Sequence, residues 1–311
     1  MTTSVLVLVE NLNAYLPILE QSGFHLILAQ TPAARAEALA TRREDIVAVV
    51  TRGPLGFYAA EMDALPNLRI ICVSGAGYEN VELPAAEARG ITVTNGAGVN
   101  ASTVADHTMS LLLALVRDIA QADASVRRGE WRKLIRPSFE GKRIGILGLG
   151  AVGMAIARRA LGFGMSVNYH SRSPRQGVDF HYCPSALALA LESDFLILAT
   201  PGGAGTRHMV NDQVLEALGP EGFVVNIARG SVIDTAALIA ALQQRRIAGA
   251  ALDVFDDEPR VDDAFKTLDN VLLSPHVGGF SPEASEDSVR LVGKNLTAYF
   301  AGEPVLTPIH S

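Results

Sequence analysis

The chain has 311 residues, 49% of them hydrophobic and 19% charged, with a formal net charge of −7. That length favours two domains, and that balance suits packed cores rather than a disordered chain. No basic run marks a nucleic-acid partner, no apolar run approaches the ~18 residues of a membrane span, and the start lacks a signal peptide's basic region, so a soluble cytoplasmic protein is expected.

Along the chain, short β-branched runs alternate with helical stretches. Val5–Val9, His25–Ala29, Ile46–Thr51, Arg69–Val73 and Ile91–Thr94 read as five buried strands, with helical segments such as Pro32–Thr41 and Pro84–Arg89 between them. Ala101–Arg128 has few breakers and an apolar middle, Met109–Val116, and reads as one long helix. A second series of strands follows: Arg143–Leu147, Ser166–Tyr169, Phe195–Thr200, Phe223–Asn226, Gly249–Asp253 and Val271–Ser274. Helices Val152–Ala160 and Thr235–Gln244 alternate with these strands, and a last helix, Pro282–Phe300, closes the chain. Alternation of this kind is the mark of parallel α/β sheets, here two of them. Cys72 and Cys183 lie in or beside apolar stretches and read as two reduced, buried thiols. His25, His107, His170, His181, His208 and His310 show no metal-ligand spacing, so no structural metal is expected.

Gly148-Leu149-Gly150-Ala151-Val152-Gly153 falls on the turn between a predicted strand and a predicted helix, the context a dinucleotide fingerprint requires. Gly148 permits the tight turn, Gly150 lets backbone approach a pyrophosphate, and Gly153 lets the helix pack close to the strand. The phosphates then meet amide groups at the helix N-terminus, including those of Ala151 and Val152. The end of the next strand selects the cofactor. An NAD site places an acid there to bind the ribose 2′-hydroxyl. Here the residues are Ser171-Arg172-Ser173, with no acid, and their hydroxyl and guanidinium donors suit a 2′-phosphate. NADP(H) is the expected cofactor.

Five further clusters flank that glycine loop: Ser74-Gly75-Ala76-Gly77-Tyr78 and Thr103-Val104-Ala105-Asp106-His107 before it, and Asn226–Gly230, Ala251–Pro259 and Ser274–Gly279 after it. With these motifs the chain resembles the D-isomer-specific 2-hydroxyacid dehydrogenases over nearly its whole length, and most of all their NADPH-linked glyoxylate/hydroxypyruvate and hydroxyphenylpyruvate reductases. The resemblance implies two doubly wound parallel-sheet domains of the α/β class. A Rossmann cofactor domain, about residues 99–282, would be inserted in a flavodoxin-like substrate domain made of residues 1–98 and 283–311. It also implies a homodimer packed largely through the cofactor domains. Trp131 would then pack that interface, border the substrate site, or serve the core.

Reducing a 2-keto acid requires that its carboxylate be held, its carbonyl polarised and a proton delivered as hydride reaches C2. Arg229 is a planar two-pronged donor suited to the first two tasks. His276 is suited to the third, and Glu258 to orienting the imidazole and favouring its protonated form. The resemblance assigns these three the same catalytic roles, and adds Gly75, Ala76 and Gly77 as a backbone site for the substrate carboxylate. To the nicotinamide cofactor it assigns Thr103, Thr200, Pro201, Thr206, Ile227, Ala228, Asp253, Gly278 and Gly279, along with Arg229 and His276. The expected reaction is reduction of glyoxylate or hydroxypyruvate to the D-2-hydroxy acid. A larger substrate such as hydroxyphenylpyruvate is the alternative, and a dinucleotide-sensing scaffold like the C-terminal-binding-protein corepressors is a more distant one.

Overall fold

The computed structural model describes residues 3–309. It divides into two compact units, one comprising residues up to Asn100 together with those from Phe280 onward, the other Ala101–Gly279.

The first unit contains β1 (Thr3–Val7), α1 (Pro17–Gln21), β2 (Phe24–Leu28), α2 (Pro32–Thr41), β3 (Ile46–Thr51), α3 (Ala59–Ala64), β4 (Ile70–Val73), α4 (Leu83–Ala88) and β5 (Thr92–Thr94). Its five strands are all parallel, in the order β2-β1-β3-β4-β5. This is the flavodoxin-like arrangement. Side chains alternate across the sheet with the period of two that an extended strand imposes. Val5, Val7 and Val9 point into one core, and Leu6 and Leu8 into the other. The C-terminal helix of the chain packs on the Val5 face through Val289, Val292 and Leu296.

The second unit runs through α5 (Ala101–Val116), α6 (Ile119–Arg127), β6 (Arg143–Leu147), α7 (Ala151–Gly162), β7 (Ser166–His170), β8 (His181–Tyr182), α8 (Ala186–Leu191), β9 (Phe195–Leu198), α9 (Asp212–Leu218), β10 (Phe223–Asn226), α10 (Thr235–Gln243), β11 (Gly249–Leu252), α11 (Asp263–Thr267) and β12 (Val271–Leu273). The last helix of the chain, α12 (Pro282–Phe300), belongs to the first unit. The seven parallel strands are ordered β12-β11-β10-β9-β6-β7-β8. The order reverses between β6 and β9, and ligands of open α/β sheets bind at such a switch point, beyond the carboxyl ends of the strands. Ile144, Ile146, Phe195, Ile197 and Val225 fill one face of this sheet, and Leu196, Leu198 and Val224 the other.

Two sequence expectations change. The single helix expected over Ala101–Arg128 is two helices, α5 and α6, broken at Asp118, whose φ of 58° is left-handed. The Asp118 side chain pairs with Arg136 at 2.6 Å, and short polar side chains tolerate this conformation better than most. Helical periodicity continues across the break, so composition does not reveal it. Strand β8 escapes the sequence reading because two residues carry no alternation to detect. Trp131 is 78% exposed, which removes the core role considered for it. Cys72 and Cys183 are buried and free, and burial pushes the Cys72 thiol up to about 12 against a hydrogen bond to Thr94.

Candidate active site

Three adjacent strands deliver the three candidate catalytic residues to one edge of the second unit. In the ladder, Asn226 pairs with Leu252 and Leu252 with Leu273, so β10, β11 and β12 end side by side. Arg229 leaves the end of β10, Glu258 lies on the loop after β11, and His276 follows β12. The structure brings Glu258 and His276 together: His276 Nδ1 lies 2.6 Å from Glu258 Oε2. An ionised carboxylate only accepts hydrogen bonds, so Nδ1 carries the proton here and Nε2 is the nitrogen left for other work. Glu258 Oε1 accepts from the Phe255 amide at 3.0 Å, which locks the carboxylate from its own loop. The Glu258–Pro259 peptide is cis.

Burial pushes the Glu258 carboxyl upward. The hydrogen bonds from His276 and Phe255 and the charges of His276 and Arg229 outweigh it, and the carboxyl titrates below its ordinary range. The Arg229 side chain donates from Nη1 to the Ala228 carbonyl at 2.6 Å, and Gly202 leaves room for its stem, since a Cβ there would lie 2.8 Å from Arg229 Cγ. Gly230 is equally constrained: its Cβ would meet the Phe255 carbonyl carbon at 2.1 Å, so only glycine lets the turn after β10 pass the loop after β11.

Sequence reasoning left two positioning residues without a role. Asn226 is fully buried at the end of β10; its Oδ1 accepts from Ala228 N at 3.0 Å and its Nδ2 donates to the Arg229 carbonyl at 3.0 Å, closing the turn that presents Arg229. His107, on α5, places Nε2 3.2 Å from Asp253 Oδ1 and 3.1 Å from Ser274 Oγ. Both residues lie inside motifs the sequence displays, but their partners are distant in the chain. Asp253 itself is 2% exposed. It accepts from the amides of Val277 at 3.0 Å and Gly278 at 2.8 Å. Those bonds hold the loop in which His276 takes a left-handed φ of 54°, a conformation that costs about 1–3 kcal/mol and persists only where the surroundings impose it. Gly278 admits the carboxylate, because a Cβ would lie 2.8 Å from Asp253 Oδ2. Gly279 follows it at the end of the unit.

The glycine loop lies between β6 and α7. Gly148 has φ 102°, and a Cβ on Gly153 would sit 2.1 Å from the Gly148 carbonyl oxygen, so the helix packs directly on the turn. Gly150 precedes α7 and its Cβ direction is open, with no atom within 4 Å. Ala151 and Val152 begin the helix there. This cradle of small residues at a helix N-terminus fits a dinucleotide pyrophosphate. Thr200 and Pro201 follow β9 beside it, and the Ala199 carbonyl and Thr200 amide would each be 2.8 Å from a Gly148 Cβ. The Thr206 hydroxyl donates to the Pro201 carbonyl at 2.7 Å and shapes that loop. Ile227 and Ala228 lie in the turn before Arg229, and Thr103 in the first turn of α5. At the end of β7, Ser171 Oγ donates to the Ser173 carbonyl at 2.7 Å, and Arg172 and Ser173 are exposed. Arg175 donates to the Leu149 carbonyl, joining this loop to the glycine loop.

Gly75, Ala76 and Gly77 belong to the first unit, after β4. The Gly75 carbonyl accepts from Gly96 N at 2.8 Å and the Ala76 carbonyl from Asn95 Nδ2 at 2.8 Å, so the loop is braced from one side.

A dinucleotide fold with an arginine and a glutamate–histidine pair on adjacent strand ends defines a hydride-transfer oxidoreductase. The profile described as D-isomer specific 2-hydroxyacid dehydrogenase, NAD binding domain, matches residues 109–278. Hydroxyphenylpyruvate reductase of Plectranthus scutellarioides is 40% identical over 289 residues, 92% of each chain. Glyoxylate/hydroxypyruvate reductase A of Arabidopsis thaliana is 39% identical over 301 residues, 96% of each. The crystal structure of an NADPH-dependent glyoxylate/hydroxypyruvate reductase from Sinorhizobium meliloti, in complex with NADP and malonate, superposes with a TM-score of 0.89 at 39% identity, covering 99% of this chain and 97% of that one. The chain belongs to the D-isomer-specific 2-hydroxyacid dehydrogenase family and is an enzyme of that class. Among the described residues no helix is long and apolar enough to cross a membrane.

The lowered titration of Glu258 makes a stability prediction. Its folded value lies below the unfolded one of about 4.3, so its contribution is complete above that pH and is lost as pH falls through the folded value. Urea unfolding of wild type and Glu258→Gln should show a stability gap near neutrality that narrows below about pH 4.3. A gap that is constant or widens on acidification would contradict the pairing.

Proposed function

We propose that the enzyme uses NADPH to reduce a small 2-keto acid, glyoxylate or hydroxypyruvate, to the D-2-hydroxy acid. The observation that carries this reading is the His276–Glu258 pair set beside Arg229 on the ends of β10, β11 and β12. The nicotinamide cofactor supplies the hydride. Arg229 binds the substrate carboxylate and draws charge from the carbonyl, and Gly75, Ala76 and Gly77 form a second carboxylate-binding element. His276 gives the Nε2 proton to the nascent alkoxide, and Glu258, fixed on Nδ1, holds the ring and stabilises its cationic form. Holding the carboxylate fixes which face of C2 receives hydride.

The acid-free end of β7 supports NADPH, with Ser171, Arg172 and Ser173 as the 2′-phosphate donors, and the NADP complex of the Sinorhizobium meliloti relative is in keeping with it. Thr103, Ile227, Ala228, Thr200, Pro201, Thr206, Asp253, Gly278 and Gly279 complete the proposed cofactor contacts. A second substrate reading has its own support in the Plectranthus relative, whose name specifies hydroxyphenylpyruvate. We also propose a homodimer. Trp131, Leu134 and Ile135, exposed by 78%, 58% and 98% in the irregular stretch after α6, supply apolar surface for it. Light scattering at micromolar concentration should give twice the 32.9 kDa chain mass, and a monomer mass would refute the dimer.

Arg172→Ala should raise KM for NADPH by about tenfold to a hundredfold, the worth of one charge-assisted hydrogen bond, and leave NADH nearly unaffected. Equal losses with both cofactors would refute 2′-phosphate recognition. His276→Ala should lower kcat by about 10²–10⁴-fold and leave NADPH affinity intact. Chiral analysis of the hydroxypyruvate product should give D-glycerate; an L-product would overturn the geometry, and hydroxyphenylpyruvate exceeding both small acids in kcat/KM would overturn the substrate assignment alone.

A further inference from the structure

On the opposite edge of the seven-stranded sheet, far along the strand order from β10–β12, three side chains of different ligand chemistry converge. Residues 181–183 continue the edge strand: Asn168 pairs with His181, and Cys183 N donates to the Tyr169 carbonyl at 2.8 Å. In extended backbone, residues two apart share a face. His181 and Cys183 therefore point to the same side, while Tyr182 packs edge-on against Tyr169 on the other. Helix α8 covers the His181–Cys183 side, and Glu192 is the residue that caps its C-terminus. The carboxylate of Glu192 lies 3.1 Å from His181 Nε2. The His181 nitrogen, the Cys183 sulfur and a Glu192 oxygen all lie within 4.8 Å of one another, and among the described residues this is the single group of three such ligands so placed.

We propose that His181, Cys183 and Glu192 form a binding site for a borderline-soft divalent cation of the zinc type. Zinc binds thiolate sulfur at about 2.3 Å and imidazole nitrogen or carboxylate oxygen at about 2.0–2.2 Å, in tetrahedral geometry. Ligand atoms on such a sphere stand about 3.2–3.6 Å apart, so the observed cluster closes on an ion with small side-chain adjustments. Nitrogen, sulfur and one carboxylate oxygen are a set that zinc accepts and that magnesium or calcium, which require oxygen ligands, do not. Two of the three ligands rest on fixed backbone. His170 Nδ1 donates to the Cys183 carbonyl at 2.8 Å, and Asn168 Nδ2 donates to the Glu192 carbonyl at 2.7 Å. Cys183 is fully buried, whereas His181 and Glu192 are exposed, so the sulfur anchors the ion from below and a water takes the fourth position. Binding displaces the thiol proton to solvent. An ion here ties the edge strand to α8 just beyond the segment 171–180, which runs from the proposed ribose loop. The ion is outside the reaction itself. His181 and Cys183 share a face only because the chain is extended there, and Glu192 reaches them only because α8 packs back on the sheet, so the folded chain alone displays the site.

The full-length protein, stripped with chelator and dialysed, should bind one equivalent of zinc by calorimetry. Cobalt in its place should give the visible bands of a tetrahedral ion and a near-ultraviolet thiolate charge-transfer band. Zinc should raise Tm. His181→Ala, at an exposed side chain whose removal leaves the backbone pairing with Asn168 in place, should weaken zinc by at least about tenfold, since even outer-shell changes cost that much. Cys183→Ser should abolish the charge-transfer band. Absence of zinc binding to the wild type overturns the proposal. Binding that survives both substitutions, or cobalt binding without the thiolate band, also overturns it, because the ion then sits on other surface groups.

Discussion

Parallel pairing of β10, β11 and β12 is the constraint on which the candidate active site of this protein rests. Parallel strands place their carboxyl ends at one end of a sheet, so the residues that follow them meet even when far apart in the chain. Arg229, Glu258 and His276 come from three such ends. The ladder supplies the coarse placement, and local hydrogen bonds supply the remainder.

Buried polar groups perform that finer placement. A carboxylate as enclosed as Asp253 is tolerable only with partners, and two backbone amides and an imidazole provide them. The same bonds that satisfy Asp253 pin the loop of His276 in a left-handed conformation. Asn226 does the equivalent for the turn of Arg229. Glycines 202, 230 and 278 let these segments approach each other, each at a distance that any Cβ would violate. Desolvation of polar groups and close backbone packing thus serve one end, which is a fixed set of functional groups beside a partly exposed surface.

The other edge of the sheet shows the same logic with a different outcome. Cys183 and Glu192 are anchored through their carbonyls by His170 and Asn168, and those anchors come from β7, the strand that also carries the proposed ribose loop at its end. A single strand therefore organises both the proposed cofactor-selecting loop and the proposed cation site.

Much of this was legible in the sequence. The strand and helix runs follow from side-chain periodicity, which is local. The glycine loop and the acid-free end of β7 can be read because the features proposed for them lie in consecutive residues. The order Arg229, Glu258, His276 behind that loop named the candidate residues by chemistry. What the sequence could not show depends on contacts between distant segments. The break at Asp118 is a single backbone torsion inside an unbroken helical pattern. Strand β8 exists because β7 offers it a ladder. Asn226, His107 and the Asp253 carboxylate acquire their roles from partners on other elements, and the His181–Cys183–Glu192 cluster from the packing of α8 on the sheet. Composition and spacing determined which groups were available; hydrogen-bonded register and close packing, which are properties of the folded chain alone, decided which of them meet.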